Sequence, residues 1–223
     1  YVRQVSPAAT TQYSITEVGD VNCSDTGTGT ATITIRPLPT ATITGTTSLC
    51  IGDTTELSVA LTGTSPFSLE FSDGFTANNI ETSPYVRQVS PAATTQYSIT
   101  EVSDVNCSNT GSGNAKITVN LLPTATISGA ATICFGDSTD LSVALTGTAP
   151  WSVTFIDGFI KENILESPYI RTVSPISTYK YEVTNVSDSN LCNNDGTGFA
   201  RVTVRPLPTA TITGTTSICA GEN

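Results

Sequence analysis

The sequence predicts an all-β chain: a tandem array of seven-stranded antiparallel β-sandwiches arranged end to end. Three observations predict it. A repeat recurs every 84 residues, short runs alternate polar and apolar residues between turn signals, and six cysteines recur in step with the repeat. The repeat is plainest at Tyr85–Cys107, YVRQVSPAATTQYSITEVSDVNC. The same string opens the chain at Tyr1 with one difference, Gly19 for Ser103, and a diverged copy, YIRTVSPISTYKYEVTNVSDSNLC, starts at Tyr169. Self-similarity at a fixed period indicates stacked copies of one structural unit. It divides the chain into the back part of a repeat (1–36), two complete repeats (37–121 and 122–205) and the front part of another (206–223). With no methionine in the chain, this organisation is expected of a piece of a longer array.

The repeat at 37–121 shows the elements in order. Thr40–Thr44 (TATIT) alternates and forms a first strand, and Cys50-Ile-Gly-Asp53 is a turn-rich connector. Thr55–Thr62 places Leu57, Val59 and Leu61 on one face and Glu56, Ser58 and Thr62 on the other, the mark of a half-buried strand. Gly63-Thr-Ser-Pro66 interrupts it. Phe67–Phe71 then turns Phe67, Leu69 and Phe71 inward, Ser72-Asp-Gly74 is a turn, and Phe75 begins a short strand. Tyr85–Val89 is a strand ended by Ser90-Pro91, because proline cannot donate to a ladder. Gln96–Val102 points Tyr97 and Ile99 inward. A polar loop, 104–114, carries Cys107, and Ala115–Val119 closes the repeat with Ala115, Ile117 and Val119 inward.

The second repeat keeps these faces with changed volumes. Leu141, Val143 and Leu145 take the second strand, Trp151, Val153 and Phe155 the third, Tyr181 and Val183 the sixth, Val202 and Val204 the last. Trp151 replaces Phe67 and is expected in the core rather than in a sugar-stacking site. Repeats join through Arg36-Pro37-Leu38-Pro39, Asn120-Leu121-Leu122-Pro123 and Arg205-Pro206-Leu207-Pro208. Such short proline-bearing linkers are stiff and extended, hence the expected end-to-end order.

Composition narrows the function. Nine Lys and Arg against 19 Asp and Glu give a net charge of −10, which argues against nucleic acid and anionic membrane surfaces. No apolar run is long enough for a membrane span, so no membrane insertion is expected. Without histidine there is no Ser–His or Cys–His arrangement, so no enzyme activity and no catalytic residue is expected. No CxxC pair exists, so no metal site and no cofactor is expected. Asp53 and Asp137, Asp73 and Asp157, and Asp104 and Asp188 recur as turn residues, for which capping is the expected role; a surface calcium site is the alternative. A lysine isopeptide staple is not expected, because Lys116, Lys161 and Lys180 do not recur. Arg3, Arg87 and Arg171 hold one strand position in all three copies. Pairing with a recurring carboxylate is expected there; a repeated protein or glycan contact is the alternative. Phe75 and Phe159 are the recurring candidates for an exposed aromatic contact.

The cysteines form two classes, Cys23, Cys107 and Cys192, and Cys50, Cys134 and Cys219. One of each class per repeat predicts one disulfide per domain, Cys50–Cys107 and Cys134–Cys192, with Cys23 and Cys219 pairing to cysteines beyond this sequence. The separations of 57 and 58 residues would be worth roughly 4 kcal/mol each in chain entropy. The rival pairing, Cys23–Cys50 and Cys107–Cys134, would bridge neighbours across a linker. Either implies an oxidising, extracellular setting.

The string LPTATISG, then ICFGDSTDLSVALTGTAPWSVTF, then SPY, TxYxxT, VSDxxC and GxAxxTV, resembles the immunoglobulin-like and PKD-like repeats of giant secreted surface proteins of Bacteroidota. The resemblance covers essentially the whole chain. It implies immunoglobulin-like domains and a stalk of adhesin or gliding-motility type, exported by type IX secretion. It also implies O-glycosylation at Asp-Ser/Thr triplets, which makes Thr54 and Ser138 candidates. The expected function is therefore a structural segment of an extracellular cell-surface fibre. Its partners would be neighbouring repeats, the same protein laterally in a filament, and a surface glycan or protein ligand. The alternative is a multivalent glycan- or protein-binding array.

Overall fold

The computed structural model describes residues 1–214 and 216–221. They are organised as strands and connecting turns, and no described helix is long and apolar enough to cross a membrane. Two compact units are present: Tyr1–Ser48 with Gly52–Val119, and Leu49–Ile51 with the chain from Asn120 onward.

The first 36 residues carry β1 (Thr11–Ser14), β2 (Val18–Gly19), β3 (Ser24–Asp25) and β4 (Thr30–Ile33), paired β1 with β4 and β2 with β3. The first complete repeat follows with β5 (Thr40–Thr44), β6 (Thr47–Cys50), β7 (Thr55–Thr62), β8 (Phe67–Phe71), β9 (Thr76–Ile80), β10 (Tyr85–Val89), β11 (Thr95–Tyr97), β12 (Ile99–Ser103), β13 (Ser108–Asn109) and β14 (Ala115–Asn120). The second repeats the pattern: β15 (Thr124–Ser128), β16 (Ala131–Cys134), β17 (Thr139–Thr146), β18 (Trp151–Phe155), β19 (Ile160–Ile164), β20 (Tyr169–Val173), β21 (Tyr179–Tyr181), β22 (Val183–Ser187), β23 (Asn193–Asn194) and β24 (Ala200–Arg205).

Each complete repeat is a sandwich. One layer is β10-β7-β5, antiparallel throughout. The other is built from β13-β12-β8-β9 and β11-β14-β6, where β11 and β12 are one strand interrupted at Ser98. The second repeat has the same orders, β15-β17-β20, β19-β18-β22-β23 and β16-β24-β21.

Alternation explains the layers. Side chains two apart share a face, and β7 buries Leu57, Val59 and Leu61 while β8 buries Phe67, Leu69 and Phe71. Ala41 and Ile43 of β5 face the same core. In the second repeat, Leu141, Val143, Leu145, Trp151, Val153, Phe155, Tyr181, Val183 and Val202 belong to one core cluster. Trp151 is buried there, and its Nε1 donates to the Thr146 carbonyl at 3.0 Å, which removes the cost of burying an indole N–H. Val119 and Val204 are only half-buried, near the ends of their strands.

Two features differ from the sequence expectation. The strand count exceeds seven, and the sheets are not wholly antiparallel: β16 pairs with β24 in parallel, Ala131 opposite Val202 through Cys134 opposite Arg205. The connector after β15 is the cause. Gly129 has φ +113°, and a Cβ there would lie 2.8 Å from the Asp140 carbonyl oxygen, so only glycine lets the chain leave one layer and join the other. Gly45 does the same after β5.

The 1–36 segment shows the same inner face from the side. Ile15 is 62% exposed, whereas its counterpart Ile99 is 4% exposed. A groove of 640 Å³ lined by Tyr1, Arg3, Tyr13, Ile15 and Ile33 is the face that strands such as β5 and β7 cover in the complete repeats.

Candidate functional site

Three sets of side chains recur with the fold: an arginine clamp, an aspartate-anchored loop and the cysteines. In the clamp, β10 delivers Arg87 and the turn after β8 delivers Asp73. Arg87 Nη1 and Nη2 donate to Asp73 Oδ1 and Oδ2 at 3.0 and 2.6 Å. This is a bidentate pair, the geometry that suits a planar guanidinium. The arginine side chain is only 12% exposed. Its Cζ lies 4.0 Å from the centroid of Phe75, 4.7 Å from that of Phe71 and 5.6 Å from that of Tyr97. Arg171, Asp157, Phe159, Phe155 and Tyr181 reproduce the arrangement, with Arg171–Asp157 contacts of 3.1 and 2.6 Å.

The electrostatics follow the geometry. The Arg87 hydrogen bond holds the Asp73 carboxyl below its ordinary value. At Asp157 partial burial pushes upward, and the Arg171 and Phe159 hydrogen bonds outweigh it, so the net direction is again down. Burial, with the charge of Asp73, pushes the Tyr97 hydroxyl up. Phe75 and Phe159 are each 40% exposed, but one face of each ring is occupied by the arginine.

The anchored loop explains the VSD element. Asp104 Oδ1 accepts from the amides of Asn106 and Cys107, both at 2.7 Å, and Oδ2 accepts from the Thr64 amide at 3.0 Å. These bonds hold its carboxyl below the ordinary range. One aspartate thus fixes the cysteine-bearing loop to the turn after β7. Asp188 does the same for Cys192 and Thr148, at 3.3 and 3.2 Å, although the second repeat carries an extra residue, Leu191, at φ +64°. Asp20 accepts from Asn22 and Cys23, both at 2.8 Å. Asp137 caps its own turn by accepting from the Cys134 amide at 3.3 Å. Among the described residues, no group of three or more His, Cys, Asp or Glu could hold a metal ion. The carboxylates of Asp73, Asp157, Asp104, Asp188 and Asp137 are thus taken up by ion pairs and turn amides.

The cysteines correct the pairing expected from sequence. The disulfide joins Cys50 to Cys192, residues 142 apart with Cα atoms 5.6 Å apart. Cys23, Cys107, Cys134 and Cys219 are unbonded. Neither Cys50–Cys107 and Cys134–Cys192, nor the rival Cys23–Cys50 and Cys107–Cys134, is formed. The reason is the position of each class in the repeat. Asp104 ties the Cys107 loop to Thr64, and Asn109 Nδ2 donates to the Pro39 carbonyl, so this loop sits where the chain enters the sandwich. Cys50 ends β6, where the Ile51 amide donates to Asn120, the residue that leaves the repeat. About ten extended residues, from Thr40 to Cys50, separate those ends, roughly 33 Å. A disulfide needs Cα atoms within about 7 Å. Leu49–Ile51 accordingly cluster with the second compact unit, to which Cys192 also belongs. On the chain-entropy model a loop this long is worth about 5 kcal/mol.

Thr54 and Ser138 are exposed, immediately before β7 and β17.

No family model matches the chain, and no curated protein matches it. Among solved structures, a three-immunoglobulin-domain segment of titin, a Glu-to-Ala variant, is similar at 13% identity with a TM-score of 0.48, over 76% of this chain and 64% of that one. The first two immunoglobulin domains of DIP-gamma are similar at 13% identity with a TM-score of 0.38, over 78% of this chain and 99% of that one. The chain thus spans less than two thirds of the length of the titin structure. The strand orders themselves make the fold plain: β5, β7 and β10 in one layer face β8, β12 and β14 in the other, as the two sheets of an immunoglobulin sandwich do. The chain carries immunoglobulin-like β-sandwiches in tandem.

Proposed function

We propose that this chain is a structural segment of a long extracellular fibre or adhesin stalk on a bacterial surface, of the kind the Bacteroidota resemblance implies. The observation that carries the reading is the disulfide between Cys50 of one repeat and Cys192 of the next. Disulfides persist in oxidising compartments, as an extracellular chain requires, and this one links consecutive repeats covalently. The recurring side chains support it: Arg87 and Arg171 are taken up by Asp73 and Asp157, and Asp104 and Asp188 by backbone amides. Neighbouring repeats are then the first partners, and lateral association into a filament or a terminal ligand-binding domain would complete the fibre. Antibodies against this chain, used in immunogold electron microscopy of the producing cells, are expected to label extended surface structures. Label confined to the cell interior would refute the proposal.

The multivalent-binder alternative has less support, since Phe75 and Phe159 lend a face to the arginine clamp. Saturable binding of the chain on a glycan array would favour it. Thr54 and Ser138 are proposed O-glycosylation positions, exposed as a transferase requires. Protein from the native source is expected to exceed its sequence mass by glycan increments that are lost in T54A and S138A variants; an unmodified mass would exclude glycosylation.

A further inference from the structure

We infer that the Cys50–Cys192 bond is one rung of a regular ladder, in which the cysteine ending the short strand of each repeat bonds the anchored-loop cysteine of the following repeat. Cys134 and Cys107 are then not spare thiols. Cys134 is a half-site for a loop cysteine in the repeat after it, and Cys107 for a strand cysteine in the repeat before it. The inference rests on the disulfide and the repeat geometry, independently of what the fibre does.

Two local equivalences carry it. Cys134 ends β16 as Cys50 ends β6, and the next amide bonds to the last residue of the final strand in both cases: Ile51 to Asn120 and Phe135 to Arg205, each at 2.8 Å. Cys107 sits in the same turn as Cys192. The aspartate amide donates to the cysteine carbonyl in both, Asp104 to Cys107 at 2.9 Å and Asp188 to Cys192 at 3.0 Å. The aspartate carboxylate also receives the cysteine amide in both. The positions that bond across 142 residues are thus each present a second time, unbonded. Within one repeat they cannot close on each other, because they lie at opposite ends of the sandwich. Cys134 is exposed and Cys107 half-buried, so both are open to an incoming partner. Cys23 sits in the same turn as Cys107, with the Asp20 amide donating to its carbonyl at 2.9 Å.

Each rung forms by exchange with a small disulfide oxidant such as oxidised glutathione. Two protein thiols give one protein disulfide, and the oxidant leaves as two thiols carrying the two protons and two electrons. No other co-reactant is needed.

The test lengthens the array by one repeat. A further copy of residues 121–205 is inserted after Arg205 in the full chain, which keeps the linker length between repeats and raises the cysteines from six to eight. Both proteins are refolded with a glutathione pair, and thiols are counted under denaturing, non-reducing conditions. The parent chain is expected to show four free thiols. The ladder predicts that the extended chain also shows four, because Cys134 and the inserted loop cysteine are consumed together. Six would overturn the inference. Peptide mapping of an extended chain with C50S and with C192S in the original repeat provides the second measurement. A Cys134 peptide linked to the inserted loop cysteine, in a monomer, supports the ladder. Linkage within one repeat, or only between separate chains, overturns it.

Discussion

Arg87 is the residue whose role changes most between sequence and structure. As a repeated cation on a strand it could have been a contact for a partner; with 12% exposure and a bidentate carboxylate it is a core-edge clamp. Lysine cannot supply two parallel donors. R87K should therefore lower unfolding free energy by about 1–2 kcal/mol, as read from urea denaturation. Acid should act through the same pair. Asp73, Asp157 and Asp104 have carboxyls held below the ordinary 3.8 in the fold. Their contribution is present above that value and is lost as pH falls through their lowered folded values. The urea midpoint is thus expected to hold between pH 7 and 5 and to fall steeply below about pH 4. A double variant, R87A with R171A, should start lower and lose less on acidification; an unchanged acid slope would mean the clamp contributes nothing to it.

At the scale of elements, the tight places are where strands meet turns. A Cβ on Gly111 would collide with the Ile99 side chain and lie 2.9 Å from its carbonyl oxygen, and one on Gly196 would run into Val183. The polar loop before the last strand therefore needs glycine to press against β12 and β22. G111A is expected to cost about 1–3 kcal/mol by overpacking, measured as a fall in thermal midpoint. L141A empties a fully buried position in the middle of β17 and should cost about 2–5 kcal/mol. Both effects belong to single repeats and should appear in circular dichroism melts even when the disulfide is reduced.

For the whole molecule the decisive bond is Cys50–Cys192. C192S is expected to destabilise the protein by about 2–5 kcal/mol, and dithiothreitol should reproduce the loss in the parent but not in the variant. If reduction leaves the parent's urea midpoint unchanged, the bond does not stabilise the fold. The covalent loop also encloses residues from both repeats. Trypsin under non-reducing conditions should therefore leave the Cys50 and Cys192 peptides joined, and reduction should separate them.

Much of this was legible in the residues themselves. The alternation in Thr55–Thr62 and Phe67–Phe71 states which side chains face the core, because a strand has a period of two and one face must leave water. The repeat announces that whatever one unit does, the next does also. The arginine's partner could be anticipated only as some recurring carboxylate, since 14 residues separate Asp73 from Arg87 and only the pairing of β10 and β7 with the turn after β8 brings them together. Asn79 and Asn163, at φ 56° and 55° in β9 and β19, gave no signal beyond their recurrence. What the sequence by itself determined is the class of fold, its period and its inner faces, all set by local hydrophobic patterning. What only the tertiary structure decided is which cysteines meet. Composition counts one of each class per repeat, but distance rules, and the two classes end up at opposite ends of the same sandwich.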